Sequence, residues 1–285
     1  MPMNGRLLRP RQTIHPEAAD WANRVRTNGG SVSGTTLTAV DRFVKAIVAA
    51  GIRDRFYRLN LFCGNPDGNL AAVRTPLFRG PSLTGTQFGG VTDANNNFVQ
   101  GDYAETGGLN PGAANVSKYL DTGYPANTLA ANNVHLGAGL LTAENRTGDR
   151  NVMGALAGEW ALLVSSRSIG AATRAACMTR FGTVTDTFGP NVGTSGAFLG
   201  AGNIVAAWPT LYRDGAVIGD NATTSANFPN LTAITVFTLN NANVQALGHT
   251  NSRIGWYSIG QTMTAGQVVA FNSAVTNFYA QVGRT

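Results

Sequence analysis

Three stretches of the chain carry apolar residues at helical spacing. Two lie near the start, where Pro16 and Glu17 begin the first helix of a predicted helical hairpin. The third follows Thr264, a good N-cap with Gln267 three residues later. The apolar stripes are Ala18, Trp21, Ala22 and Val25; Leu37, Val40, Phe43, Val44, Ile47 and Val48; and Val268, Phe271, Val275, Phe278 and Val282. Each stripe must be buried against another element, and a sheet is the expected partner.

Between the helices the pattern changes to short alternating runs separated by turns rich in Gly and Asn. In the clearest run, Asp214-Gly215 lies between two apolar segments and predicts a hairpin turn with positive φ at both positions. Many short strands with regular turn signals predict an all-β sandwich rather than a parallel α/β sheet. The predicted strands cover residues 56–63, 70–78, 119–122, 134–142, 160–165, 176–181, 204–208, 211–218 and 234–240.

The composition fits a sandwich with one added helical unit. Hydrophobic residues make up 43 % of the 285 positions, whereas charged residues make up only 13 %, about half the usual share. We predict an extended basic arm over residues 1–14, a helical hairpin over 15–51, and a sandwich domain over 52–285 that ends in a helix over 264–282. Arg6, Arg9 and Arg11 make the arm basic, and such arms are either flexible or become ordered only against a partner.

The net charge of +6 raises the question of nucleic-acid binding. The basic residues are scattered and form no run, so no nucleic-acid partner is expected. No apolar run is long enough to span a membrane, and no secretory signal is visible. Cys63 and Cys177 both lie in apolar stretches, which favours buried free thiols, although the sequence leaves their pairing open.

Catalytic patterns are weak along the chain. A glycosidase needs two carboxylates a few ångströms apart, and the pairs to consider are Asp102 with Glu105 and Glu144 with Asp149. Both pairs lie in Gly-flanked loops, where solvated carboxylates are the simpler interpretation. The three histidines are dispersed, and His135, which lies in a predicted strand, is most simply structural. The residues therefore predict no catalytic site and no enzymatic activity.

Two binding patterns remain. Asp93, Asn95 and Asn97 alternate in one loop and offer oxygen ligands of the kind that calcium prefers, although an Asn-rich turn is the simpler interpretation. No other cofactor is indicated. A sugar site needs an exposed aromatic ring near Asn or Asp, and the candidates for ligand binding are Tyr103, Tyr124 and Trp208, although core packing explains aromatic residues in strands equally well.

Two regions resemble known proteins. The hairpin with Arg213-Asp214-Gly215 at its tip, and the strand ending in Ser258-Ile259-Gly260 before a Thr-capped helix, resemble concanavalin-like, laminin-G-like domains. The opening, from Ala19-Asp20-Trp21 to Cys63-Gly64, is similar to that of tailed-bacteriophage virion proteins that carry such a sandwich. The resemblance implies a mainly β fold, a concanavalin-like jelly-roll antiparallel β-sandwich with an N-terminal helical hairpin and a C-terminal helix.

The resemblance also implies a role. It indicates a non-enzymatic virion structural protein on the particle exterior, such as a capsid decoration, head fibre or tail-attached adhesin, assembled in the host cytoplasm. Its expected partners are other virion proteins, further copies of itself in a homo-oligomer such as a trimer, and a host-surface glycan. A free carbohydrate-binding lectin module is the first alternative, and a glycoside hydrolase is the second.

Overall fold

The computed structural model describes residues 13–67, 69–130, 132–144, 150–157, 160–169, 172–181, 187–191, 196–202, 209–220, 231–242 and 246–284. Four α-helices lie in these ranges, and none of the described helices is long and apolar enough to cross a membrane. The helices are α1 (Pro16–Thr27), α2 (Gly34–Ala49), α3 (Leu70–Val73) and α4 (Ala265–Val282). Short 3-10 turns cover Arg53–Arg55, Gln100–Asp102 and Ala126–Thr128.

Local sequence signals explain where the two longest helices begin. Ser33 precedes α2, and its hydroxyl accepts a hydrogen bond from the Thr36 amide at 3.0 Å. Thr264 and Gln267 form a reciprocal capping box at the start of α4, as the sequence predicts. Gly283 ends α4 with φ of 72°, a backbone conformation that glycine adopts without strain.

Seventeen strands make up most of the remaining described chain. They are β1 (Phe56–Asn60), β2 (Ala94–Asn96), β3 (Tyr103–Ala104), β4 (Gly108–Leu109), β5 (Tyr119–Pro125), β6 (His135–Leu140), β7 (Arg150–Ala157), β8 (Trp160–Ile169), β9 (Ala172–Phe181), β10 (Thr187–Asn191), β11 (Gly196–Gly202), β12 (Pro209–Arg213), β13 (Ala216–Asp220), β14 (Ala233–Val236), β15 (Leu239–Asn241), β16 (Ala246–Leu247) and β17 (Ile254–Gly260).

The strands form two sheets. Sheet 1 has the order β13-β12-β11-β6-β17-β4-β3, and β1 also pairs with β17. Sheet 2 has the order β10-β9-β8-β7-β14-β5-β2, and β15 pairs with β16 and with β7. The β15–β7 pair is parallel, whereas the other described strand pairs are antiparallel. The fold is therefore mainly β and consistent with a β-sandwich, but this strand order does not confirm a jelly roll.

The core between the sheets contains apolar side chains from both of them. Leu136, Ala138 and Ile259 come from β6 and β17 of sheet 1. Met153 and Val236 come from β7 and β14 of sheet 2 and belong to the same buried cluster. Burying these side chains on the inner faces stabilises a two-layer arrangement, because each sheet removes the apolar face of the other from water.

A second core lies on the other side of sheet 1, where α1, α2 and α4 form a helical layer. Phe43 of α2 makes edge contacts with Phe271 and Phe278 of α4, with ring centroids 6.4 and 6.1 Å apart. Phe271 in turn packs against Trp256 of β17 at 5.0 Å and Phe56 of β1 at 4.9 Å. The apolar stripes of the helices are thus buried against a sheet, as their spacing predicts, except for Val48 of α2, which is exposed.

Glycines on β6 and β17 allow the helical layer to approach sheet 1 closely. A Cβ atom on Gly139 would lie 2.5 Å from the Tyr279 hydroxyl and 2.5 Å from Trp256 Cδ1. On Gly137 it would lie 3.0 Å from the Trp256 ring. The indole of Trp256 and the ring of Tyr279 therefore occupy space that any larger residue at these positions would fill.

One strand prediction needs correction. Residues 70–78 were predicted as a strand, but Leu70–Val73 forms a helical turn because the Asn69 side chain accepts a hydrogen bond from the Ala71 amide. The predicted strand over residues 204–208 lies outside the described residues. The other predicted strands overlap with observed ones. The Asp214-Gly215 turn is confirmed, with φ of 51° and 86°. The division into arm, hairpin and sandwich domains stays a prediction.

Candidate functional site

The loop predicted to bind calcium contains a buried ion pair. Arg58 of β1 donates from Nη2 to Asp93 Oδ1 at 2.6 Å, and both side chains are fully buried. Asp93 also accepts from the Tyr257 hydroxyl at 2.7 Å and from Asn60 Nδ2 at 3.0 Å. The guanidinium of Arg58 thus occupies the place where a calcium ion was expected. The second carboxylate oxygen of Asp93 accepts the hydrogen bond from Asn60.

The other two residues of that predicted site serve the turn itself. Asn95 donates to the Phe98 carbonyl at 2.9 Å and accepts from the Phe98 amide at 3.1 Å. Asn97 has φ of 66° and donates to the Ser117 carbonyl at 3.3 Å. This geometry corresponds to the Asn-rich turn that the sequence also allowed. Among the described residues, no three His, Cys, Asp or Glu side chains converge to hold a metal ion.

The charges in this cluster depend on one another. Burial opposes the charged form of Arg58, but Tyr257 and Asp93 outweigh this effect and raise the pKa of Arg58. Burial, followed by the negative charge of Asp93, raises the pKa of the Tyr257 hydroxyl well above its ordinary value. Tyr257 therefore stays protonated and donates to the carboxylate, while Arg58 stays charged.

A second buried cluster contains one of the predicted glycosidase carboxylates. Glu105 accepts hydrogen bonds from the Tyr103 hydroxyl, from Thr36 Oγ1 at 2.9 Å and from the Gly64 amide at 3.0 Å. Burial and the neighbouring Glu105 raise the pKa of Tyr103. Only 5 % of Glu105 is exposed, so its carboxylate connects α2 to the segment after β1 rather than facing solvent.

The chain crosses this cluster again after α4. Arg284 donates to four backbone carbonyls, those of Leu61, Phe62, Glu105 and Gly255, at 2.6–3.0 Å. A guanidinium suits this role because its donors have a fixed planar fork. Cys63 lies beside this cluster as a buried free thiol, and burial raises the pKa of the thiol, which disfavours the reactive thiolate form.

Glu144 and His135, the remaining candidate residues with titratable side chains, also form hydrogen bonds within the fold. Glu144 accepts from Thr250 Oγ1 at 2.9 Å and from the Asn251 amide at 2.8 Å, and Asp149 lies outside the described residues. His135 Nδ1 lies 2.6 Å from the Gln261 carbonyl oxygen and Nε2 lies 3.1 Å from Ser258 Oγ. Burial lowers the pKa of His135 to about 4, which keeps the ring neutral.

The aromatic residues predicted to bind a ligand do not form a surface site. Tyr103 is 6 % exposed and Tyr124 is fully buried, because Tyr124 packs in the core against Tyr57 and Phe88. Trp208 lies outside the described residues, as do Arg6, Arg9 and Arg11 of the arm. The structure thus corrects the expectation of exposed rings at Tyr103 and Tyr124.

The sequence did not predict the roles of Arg58, Tyr257 and Arg284. A lone arginine within an apolar strand could have signalled the first, because a buried charge requires a partner. It could not have identified Asp93 as that partner. Arg284 follows the glycine that ends α4, and nothing in its sequence context indicates that it turns inward.

An open groove of about 390 Å³ lies on the helical layer between α2 and α4. Its walls are mainly apolar, and Arg42 donates to Gln281 Oε1 at 3.0 Å across its rim. Phe43, Ala46, Ala274 and Ala280 form the apolar part of its wall. Unlike the buried clusters, this groove can admit another group from outside.

Comparison with known proteins gives only distant likenesses. No protein-family model matches the chain, and no curated protein matches it. It is similar to a Trypanosoma rangeli sialidase in complex with a difluoro-nononic acid at 10 % identity and a TM-score of 0.46, over 83 % of this chain and 39 % of that one. It is similar to the NanB sialidase from Streptococcus pneumoniae at 10 % identity and a TM-score of 0.40, over 53 % and 26 %.

A third match is a full-length tailspike protein 2 from an Escherichia coli bacteriophage, at 14 % identity and a TM-score of 0.38, over 65 % of this chain and 27 % of the tailspike. The chain thus spans less than half the length of each of these structures. The three matches do not confirm a concanavalin-like or laminin-G-like domain.

This comparison contradicts the expectation of a protein without enzymatic activity, because the matched sialidases are enzymes. The expectation is withdrawn. With TM-scores below 0.5, the likeness assigns neither a catalytic residue nor a substrate to this chain.

Proposed function

We propose that the chain is a structural component of a bacteriophage virion, carried on the particle exterior as a capsid decoration, head fibre or tail-attached adhesin. It acts there through protein–protein assembly, as a homo-oligomer such as a trimer, and by binding a host-surface glycan. The sequence resemblance of its opening and closing regions supports this role. The tailspike likeness is too weak to add to that support.

The observation that best supports assembly is the outer face of α4. No charged residue occurs in this helix, although Val269, Ser273, Thr276 and Asn277 face solvent. Solvent-facing helices usually carry charged residues on the outer side. The cores of protein–protein interfaces, by contrast, are depleted of charge. The face of α4 therefore suits burial against another protein surface.

Quantitative mass spectrometry of purified particles, set against particle-free supernatant, tests the virion role. We expect the chain in the particle at a fixed ratio to the major capsid protein. Hundreds of copies indicate a decoration, and a few to tens indicate a tail appendage. If the chain occurs only in the supernatant or in cells, the proposal fails and a free lectin becomes the leading candidate.

The glycan partner needs its own test. The purified chain is applied to a broad glycan panel, with Trp208→Ala as the variant and hydrolysis of sialosides measured in parallel. Binding that is lost in the variant supports the adhesin form of the proposal. If neither binding nor hydrolysis occurs, the glycan partner is excluded and assembly alone remains.

A further inference from the structure

We infer that the groove between α2 and α4 is a docking site for the chain's own arm, and that Leu7 and Leu8 are the residues that occupy it. The groove is an open cleft of about 390 Å³, within the size range of sites that hold a ligand. Its apolar lining calls for an apolar occupant. The inference does not depend on the virion role.

The described chain begins close to this groove. The carbonyl of Thr13 accepts a hydrogen bond from Lys45 Nζ at 3.0 Å, and the adjacent His15 amide donates to Asp41 at 2.6 Å. These contacts hold the segment against α2. Arg42, on the groove rim, is one turn from Lys45, so the two side chains are neighbours on the helix surface.

The arm has the length and the chemistry to reach the groove. Leu8 precedes Thr13 by five residues, which span up to about 17 Å when extended. Leu7 and Leu8 are adjacent apolar residues in an otherwise basic segment. With both leucines in the cleft, Arg6 and Arg9 would remain in water. The tether also raises the local concentration of the arm above that of any free partner.

The position of the arm can be measured by disulfide trapping in the full-length protein. Leu8→Cys is combined with Ala280→Cys in the groove wall, or with Val48→Cys as the control. Val48 is 44 % exposed and lies three residues from Lys45 in the direction opposite to Arg42, so the tether reaches both targets. Leu8→Cys alone controls for reaction with the native cysteines.

We expect oxidation to form the intramolecular disulfide between positions 8 and 280 about tenfold faster than the one between positions 8 and 48. Adding Leu7→Asp should make the two rates equal. Equal trapping of both pairs would overturn the inference, because tethering alone would explain it. Trapping between chains would also overturn it and make a second copy the occupant. A preference that survives Leu7→Asp would show that the leucines do not carry the binding.

Discussion

The guanidinium of Arg58 and the carboxylate of Asp93 lie 2.6 Å apart, and neither side chain is exposed to solvent. The pair links β1 of sheet 1 to the loop before β2 of sheet 2, and so connects the two sheets. Since desolvation of two charges is costly, its main effect is that neither partner can be lost without leaving a buried charge.

Replacing Asp93 with Ala should therefore destabilise the fold by about 3–5 kcal/mol. The measurement is urea unfolding followed by fluorescence. Asp54→Ala is the matched control, because Asp54 is 64 % exposed and lies 3.8 Å from Arg55, where an ion pair contributes about 0–1 kcal/mol. Similar losses in both variants would contradict the role assigned to the buried pair.

Calcium removal should leave the stability unchanged. Asp93 is occupied by Arg58, Asn60 and Tyr257, so it has little capacity to bind a cation. We expect the same melting temperature in excess EDTA and in millimolar CaCl2. A rise with calcium that disappears in Asn95→Ala would restore the predicted calcium site.

Gly139→Ala should destabilise the protein by about 1–3 kcal/mol, since the added methyl group overlaps Trp256 and Tyr279. Gly266→Ala is the control, because a Cβ atom there meets nothing within 4 Å. In a helix that substitution should stabilise by about 0.4–1 kcal/mol. Chemical denaturation of both variants distinguishes a steric effect from a general effect of glycine replacement.

Stability should fall as the pH drops from about 6.5 to about 4. In this window an unfolded His135 binds a proton, whereas the folded, buried ring does not, so protons favour unfolding. The contribution lost is about 3 kcal/mol, and it is fully present above pH 6.5. His135→Asn should have a correspondingly flatter stability profile over the same range. If both proteins lose stability in parallel, other groups cause the loss.

Arg284→Lys should destabilise nearly as much as Arg284→Ala, by about 2–4 kcal/mol, because one ammonium cannot reach four carbonyls in three segments. The exposed Arg253 provides a control, and its replacement by Ala should change the unfolding free energy by less than about 0.5 kcal/mol. Full rescue by lysine would show that charge alone is required at position 284.

The sequence predicts elements well where local chemistry decides them. The capping box at Thr264, the Asp214-Gly215 turn and the three apolar stripes all depend on residues close in the chain, and the structure contains each of them apart from the exposed Val48. The 70–78 prediction failed because the Asn69 side chain caps a helical turn there, which the apolar content of the segment does not reveal.

The polar interior could not be predicted in the same way. Asp93 and Glu105 lie in loops, where a carboxylate is usually solvated. Their burial depends on Arg58 and on Thr36, residues 35 and 69 positions away. The burial of Tyr103 and Tyr124 could not be predicted either, since an aromatic residue in a short strand fits a surface and a core equally well.

The pairing of β1 with β17 has a consequence for how the chain is made. Arg58 and Tyr257 meet across 199 residues, and the helical layer rests on this same pair of strands. Contacts of such long range slow folding, because the chain must close a large loop before it gains them. During synthesis, the apolar faces of α1 and α2 emerge long before β17 and α4 can cover them. The newly made chain is therefore vulnerable to aggregation until β17 and α4 have left the ribosome.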